Sequence, residues 1–129
     1  MIIIIVQAIP AALELIEGKI KNTFPSMDNV IYESNFEKTL RIIPKDEEIV
    51  VIISDMFHDL KDELFKSSEK DGSRLAMEVK KINPKAKVYV FSSYEPKMEN
   101  IDGFFQKTQG GDNTATEIIN IFYKLKLAV

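Results

Sequence analysis

The chain has 129 residues, 45% hydrophobic and 29% charged, with a formal net charge of −3. That balance suits one globular domain, spanning 1–129, long enough to bury most of its apolar surface. With no cysteine, no tryptophan and one histidine, disulfides, thiolate chemistry and a histidine-built metal centre are excluded, and the acidic balance without a basic stripe argues against a nucleic-acid surface.

Met1 to Ala12 is apolar, but no basic residue precedes it, Pro10 interrupts it, and Glu14 and Glu17 follow. A signal peptide needs a positive flank, and a membrane span needs about 20 apolar residues. Ile2-Ile3-Ile4-Ile5-Val6 therefore reads as a buried strand, with Met1 suggesting a natural start, and the expected location is the cytoplasm with no membrane partner. Pro10 suits a first helical turn, and Leu13, Ile16 and Ile20 recur at helical spacing until Pro25. Val30-Ile31-Tyr32 is a short strand. Ser34 and Glu37 have the spacing of a capping box, followed by Phe36, Leu40 and Ile43 on one helical face.

The charged turn Pro44 to Glu48 leads into Ile49-Val50-Val51-Ile52-Ile53-Ser54, a third strand, with Asp55 just past its end. From Asp55 to Gly72 the chain is unusual: Asp59 to Phe65 could form two helical turns, and a polar string follows. Leu75, Val79 and Ile82 then mark a helix that stops at Asn83-Pro84. Val88 to Phe91 is the fourth strand, ending in Ser92, and Gly103 to Gln106 is the fifth, ending in Lys107. Thr114 and Glu117 form a second capping-box pattern, and Ile118, Phe122 and Leu125 supply the face of the last helix.

Five near-continuous apolar strands alternating with amphipathic helices indicate a parallel sheet covered on both faces. Only nine residues, Pro96 among them, separate Ser93 from Gly103. A parallel crossover with its helix needs at least about 10–12. The fourth helix should be lost or cut to one turn, leaving Tyr94 to Ile101 mostly irregular.

An acid (Asp55), a hydroxyl (Ser92) and an amine (Lys107) thus follow three successive strands, where α/β sheets place ligand sites. The chain resembles a response-regulator receiver domain over essentially its whole length. "VVIISD" is similar to that family's third strand with its phosphoacceptor, and "DGSRLAMEVKKINPKAKVYVF" to the Asp-Gly helix leading into strand four. "VYVFSS" is similar to strand four with its Thr/Ser, and "NIDGFFQKT" to G-A-x-G-Y-x-x-K-P, with Thr108 in place of proline. The resemblance implies a flavodoxin-like three-layer sandwich with strand order 2-1-3-4-5. It also implies that Asp55 accepts the phosphoryl group, Ser92 hydrogen-bonds it, Lys107 pairs with it, and Phe104 is the aromatic switch.

Three departures matter. Receivers carry an acidic pair after strand one, where this chain has Gln7-Ala8; the pair holds the Mg²⁺ that neutralises a transferring phosphoryl group. Asp55 to Asp71 spans sixteen positions where the family has a short loop, and Asp59 or Asp62 within it could replace a metal ligand. The shortened fourth helix falls on the face receivers use for output. Together these describe a pseudo-receiver, with no catalytic residue, metal or cofactor.

Simpler roles stand beside these. Asp55 could cap the following turn, and Lys107 could fix the sheet edge as its ion-pair partner. His58 has no nucleophile or second base near it in sequence and reads as a loop histidine. Of Phe104 and Phe105, one should lie in the core and the other outward, near the groove of the missing helix. Gly110-Gly111 resembles a phosphate-cradling turn but suits a conformational role equally. The loop after strand one lacks the hydroxyls of an FMN site and the Asp-x-His-x-x-Gly of a cobalamin module, and no Rossmann G-x-G-x-x-G occurs. The leading expectation is a signalling protein–protein interaction module rather than an enzyme, with Phe104, Tyr94 and the Ile118–Leu125 helix as binding surface and a second copy of the chain as a candidate partner. A working receiver phosphorylated on Asp55 with non-standard metal ligands is the runner-up. A binder of small anions, using Lys107, Ser92 and Gly110-Gly111, is the third.

Overall fold

The isoleucine- and valine-rich runs form the centre of a five-stranded parallel sheet. In the computed structural model, which describes residues 1–54, 72–92, 100–108 and 114–128, the strands are β1 (Ile2–Gln7), β2 (Val30–Glu33), β3 (Ile49–Ser54), β4 (Lys87–Ser92) and β5 (Gly103–Gln106). They pair in the order β2-β1-β3-β4-β5, all parallel, as the sequence leads one to expect. The helices are α1 (Pro10–Thr23), α2 (Phe36–Ile42), α3 (Gly72–Ile82) and α4 (Thr114–Lys124).

Strand alternation sorts the core into two layers. Ile4, Val6, Val51, Ile53, Val88 and Val90 pack against α2 and α3 on one face. Ile3, Ile5, Val50, Ile52 and Phe91 pack against α1 and α4 on the other. Each central strand is apolar on both faces because both are covered by helices, so β3 is buried along its whole length.

Helix boundaries follow local chemistry, with two corrections. The cap of α2 is Asn35, not Ser34: the Asn35 side chain accepts from the Lys38 amide at 2.8 Å. Glu33 turns back to accept from the amides of Ser34 and Asn35 at 2.8 and 2.9 Å, and that shifts the start by one residue. At α4, Glu117 does not close a box with Thr114. Its Oε1 accepts from the amide and hydroxyl of Thr108, tying the first turn of the helix to the end of β5. The expected stop of α3 at Asn83-Pro84 holds. Asn83 is fully buried and donates to the carbonyls of Pro44 and Glu47, both at 2.8 Å, while accepting from the Lys85 amide at 3.0 Å.

Among the described residues no helix stands between β4 and β5. Residues 100–102 are irregular, and the rest of the stretch expected to lose its helix, including Tyr94, lies outside the described residues. Phe104 and Phe105 differ from the one-in, one-out expectation. Both are half-buried, Phe104 against the α2/α3 core and Phe105 against the α1/α4 core. An edge strand flanked on only one side leaves each ring partly covered on its own face.

Candidate functional site

At the carboxyl edge of the sheet, β1 and β3 end in register, with Gln7 beside Ser54. Both are almost completely buried. The Gln7 Nε2 donates to Ser54 Oγ at 3.0 Å, and its Oε1 accepts from the Ile9 amide at 3.1 Å. The backbone amide can only donate, which fixes the oxygen toward Ile9 and the nitrogen toward Ser54. Gln7 therefore spends both ends of its side chain on the protein. One end joins the central strands, and the other meets the chain as it enters α1, whose own cap position, Ile9, supplies no side-chain bond.

Ser92 is the last residue of β4 rather than the one after it, and it is buried. Its carbonyl accepts from the Lys107 amide at 2.8 Å, so the backbone sets Lys107 beside the end of β4. The Lys107 ammonium sits 5.2 Å from the centroid of the Phe91 ring, a cation–π contact. Phe91 belongs to the α1/α4 core, which puts the ammonium on that side of the sheet. Gln7 and Ser54 share the strand parity of Ile5 and Ile52 and lie on the same side. Ser92 has the parity of Val88 and Val90 and belongs to the other.

A cavity of about 730 Å³ opens on the α1/α4 side of this edge. Gln7 and Lys107 border it, and its α1 wall runs from Ile9 through Leu15 and Gly18 to Asn22, facing Thr114 of α4. Its size is that of small-ligand sites. Sequence reasoning missed both the cavity and the role of Ser54. A serine ending an all-apolar strand was the available signal, since a buried hydroxyl needs a partner.

Asp55, His58, Asp59, Asp62, Tyr94 and Gly110-Gly111 lie outside the described residues. Among the described residues no cluster of three or more histidines and carboxylates could hold a metal ion, and no helix is long and apolar enough to cross a membrane.

No family model matches the sequence, and no curated protein does. Solved structures match its fold. The RcsB response regulator of Salmonella typhimurium, from work on its DNA interaction, superposes with a TM-score of 0.67 at 19% identity over 98% of this chain. This chain spans 61% of that one. The non-phosphorylated receiver domain of RcsB from Escherichia coli gives 0.62 at 17% identity, covering 98% of this chain and 92% of its own. A CheY-like receiver domain protein from Methanospirillum hungatei gives 0.59 at 15%, covering 96% and 94%. At these identities the likeness is one of fold. The chain has the five-stranded, CheY-like flavodoxin architecture of receiver domains.

Proposed function

We propose that this chain is a divergent receiver that works as a cytoplasmic signalling module through protein–protein contact, without Mg²⁺-dependent phosphorylation of Asp55. The observation that carries the reading is the commitment of Gln7. The receiver resemblance puts a metal-binding acidic pair at Gln7-Ala8. Gln7 brings no charge, and its one suitable oxygen already accepts from the Ile9 amide in a buried position. To ligate a cation it would have to give up that bond. A hard cation that dehydrates reluctantly gains little from a neutral oxygen, and without the cation nothing offsets the charge building on a transferring phosphoryl group. The remaining edge residues suit a fixed structure: Lys107 lies on Phe91, and Ser54 is held by Gln7.

Incubation with acetyl phosphate and Mg²⁺ should leave the intact mass unchanged, and a Mg²⁺ titration followed by NMR should show no saturable site below millimolar concentration. An added phosphoryl mass that disappears in Asp55→Asn would overturn the proposal. It would favour a working receiver in which Asp59 or Asp62 completes the metal site.

The cavity beside Gln7 and Lys107 favours one second reading, a binder of small anions with an apolar body. Phosphate-bearing ligands should then shift the amide resonances of Gln7, Thr114 and Thr108 saturably, and Lys107→Gln should abolish the shifts.

A further inference from the structure

The solvent side of α1 carries a pattern that packing within the domain does not require. Leu13, Ile16 and Ile20 face the sheet. On the opposite side Ala11, Leu15, Gly18 and Asn22 are all exposed, Leu15 at 72%. Their spacing of four, three and four is that of a coiled-coil seam. Charges flank this stripe and do not enter it: Glu14 and Lys21 lie along one side, Ala12 and Lys19 along the other. Gly18 leaves open space above the helix, since a Cβ placed there meets nothing within 4 Å, and with Leu15 and Asn22 it stands on the rim of the cavity described above. A glycine inside a helix costs stability, and here it stands one turn from the exposed leucine.

We propose that α1 is a self-association surface, through which two copies pair by antiparallel α1 helices, Leu15 of each entering the space over Gly18 of the other. A two-fold axis crossing the helix between Ile16 and Glu17 sets Leu15 opposite Gly18 and Ala11 opposite Asn22. A large residue thus meets a small one in the central layers. A parallel pair would instead stack Leu15 on Leu15 and leave Gly18 facing Gly18 across a void. In the antiparallel register the flank that holds Glu14 runs beside Lys21 of the second copy, so opposite charges meet at both symmetric contacts. Glu14 has no ion-pair partner among the described residues, whereas Lys21, 64% exposed, reaches Glu17 at 2.6 Å and retains donors. On the other flank Lys19 passes Ala12, and no like charges meet.

The same complementarity selects the occupant. Knob and hollow, acid and base, all lie on one helix and fit each other only when that helix meets itself in reverse, the self-complementary contact of a two-fold dimer. The stripe between the flanks is uncharged, which lets two copies of net charge −3 approach there with least repulsion. The outer face of α2, by contrast, carries Glu37, Lys38 and Arg41. The seam is only about three helical turns long, so the dimer is of the weak, transient class.

Charge exchange tests this. Sedimentation velocity up to millimolar concentration should show a concentration-dependent dimer for the wild type. Leu15→Glu should abolish it, with an unchanged circular dichroism spectrum because the side chain is exposed. Glu14→Lys and Lys21→Glu should each weaken self-association about five- to tenfold, as each sets like charges at both flank contacts. Mixed one to one, the two variants should pair again, because both contacts become attractive in the mixed dimer. The chain has no cysteine, so Ala11→Cys and Asn22→Cys copies can be mixed and oxidised. A cross-link between unlike copies is expected. A wild type that stays monomeric to millimolar concentration, a dimer that survives Leu15→Glu, charge variants that fail to recover on mixing, or cross-links only between like copies would each overturn the proposal.

Discussion

Replacing Asn83 tests how far one buried polar side chain holds the α3 end of the domain. Its Nδ2 donates to two carbonyls in the turn before β3, and its Oδ1 accepts from the Lys85 amide, all at 2.8–3.0 Å. Asn83→Ala removes three hydrogen bonds, each worth about 1 kcal/mol net, for a loss of about 3 kcal/mol. At about 2.1 cal/mol/K per residue, unfolding 129 residues carries an entropy of about 0.27 kcal/mol/K, so the melting temperature should fall by about 11 °C. Asn83→Asp separates hydrogen bonding from packing. It keeps the volume and the acceptor for Lys85 but turns a carboxylate oxygen toward two carbonyl oxygens at a position with no exposure. It should therefore be less stable than Asn83→Ala at pH 7, by about 1 kcal/mol or more. Burial against acceptors raises that acid's folded pKa, so its deficit should shrink as pH falls toward 4, where the protonated acid can donate one bond. Thermal unfolding of the three proteins at pH 7 and pH 4.5 measures this. If Asn83→Asp proves as stable as the wild type, Asn83 fills space and nothing more.

Three further outcomes follow from contacts already described. Asp102 accepts from the Lys80 ammonium at 2.7 Å and from the Val88 amide at 2.8 Å, with Lys87 at 3.8 Å. Burial pushes its pKa up, but the Lys80 and Val88 hydrogen bonds and the two lysine charges outweigh that and hold it below the ordinary value. Its contribution is full above about pH 4 and is lost as pH falls through the folded value. Asp102→Asn should thus be less stable at pH 7 and converge on the wild type as pH falls below the ordinary carboxylate range in urea titrations. Gly103→Ala places a Cβ 2.9 Å from Tyr89 Cδ1, and Phe105 packs beside that ring at 6.0 Å. Overpacking of this kind costs about 1–3 kcal/mol; equal denaturation midpoints would mean the ring swings free. Phe104→Ala should weaken partner capture while Asp55→Ala leaves it intact, and the reverse result in a pull-down with the cognate partner would move the working surface to the strand-end pocket.

The sheet was legible because its residues allow little else. Ile2 to Val6 and Ile49 to Ile53 are too apolar to face water on either side, and only a parallel sheet between helical layers buries both. The helix starts were read less well, because a capping-box spacing records residue types and not the direction of their side chains. Glu33 took the amides of Ser34 and Asn35, and Glu117 reached nine residues back to Thr108. Of the strand-end trio, Asp55 lies outside the described residues, while Ser92 ends β4 and Lys107 follows β5 beside it, with their side chains on opposite sides of the sheet. Gln7 read as an absence, a position without charge. Its actual work depends on β1 and β3 ending in register, and pairing across 47 residues is invisible to local pattern.

The position of β1 also bears on how the chain is made. The strand of this sheet that is synthesised first lies inside it, between β2 and β3, and among the described strands none pairs with its successor through a hairpin. Ile2 to Val6 leaves the ribosome as an uncharged, strongly β-prone segment of the kind that aggregates when exposed. Its inner neighbour is complete only at Ser54, 47 residues after Gln7. At about 5–20 residues per second that interval lasts about 2–9 seconds. During it, α1, β2 and α2 are the elements of this fold available to shield the segment. Slow translation between the Gln7 and Ser54 codons should therefore lower the soluble yield, whereas slow translation after Ser54 should not.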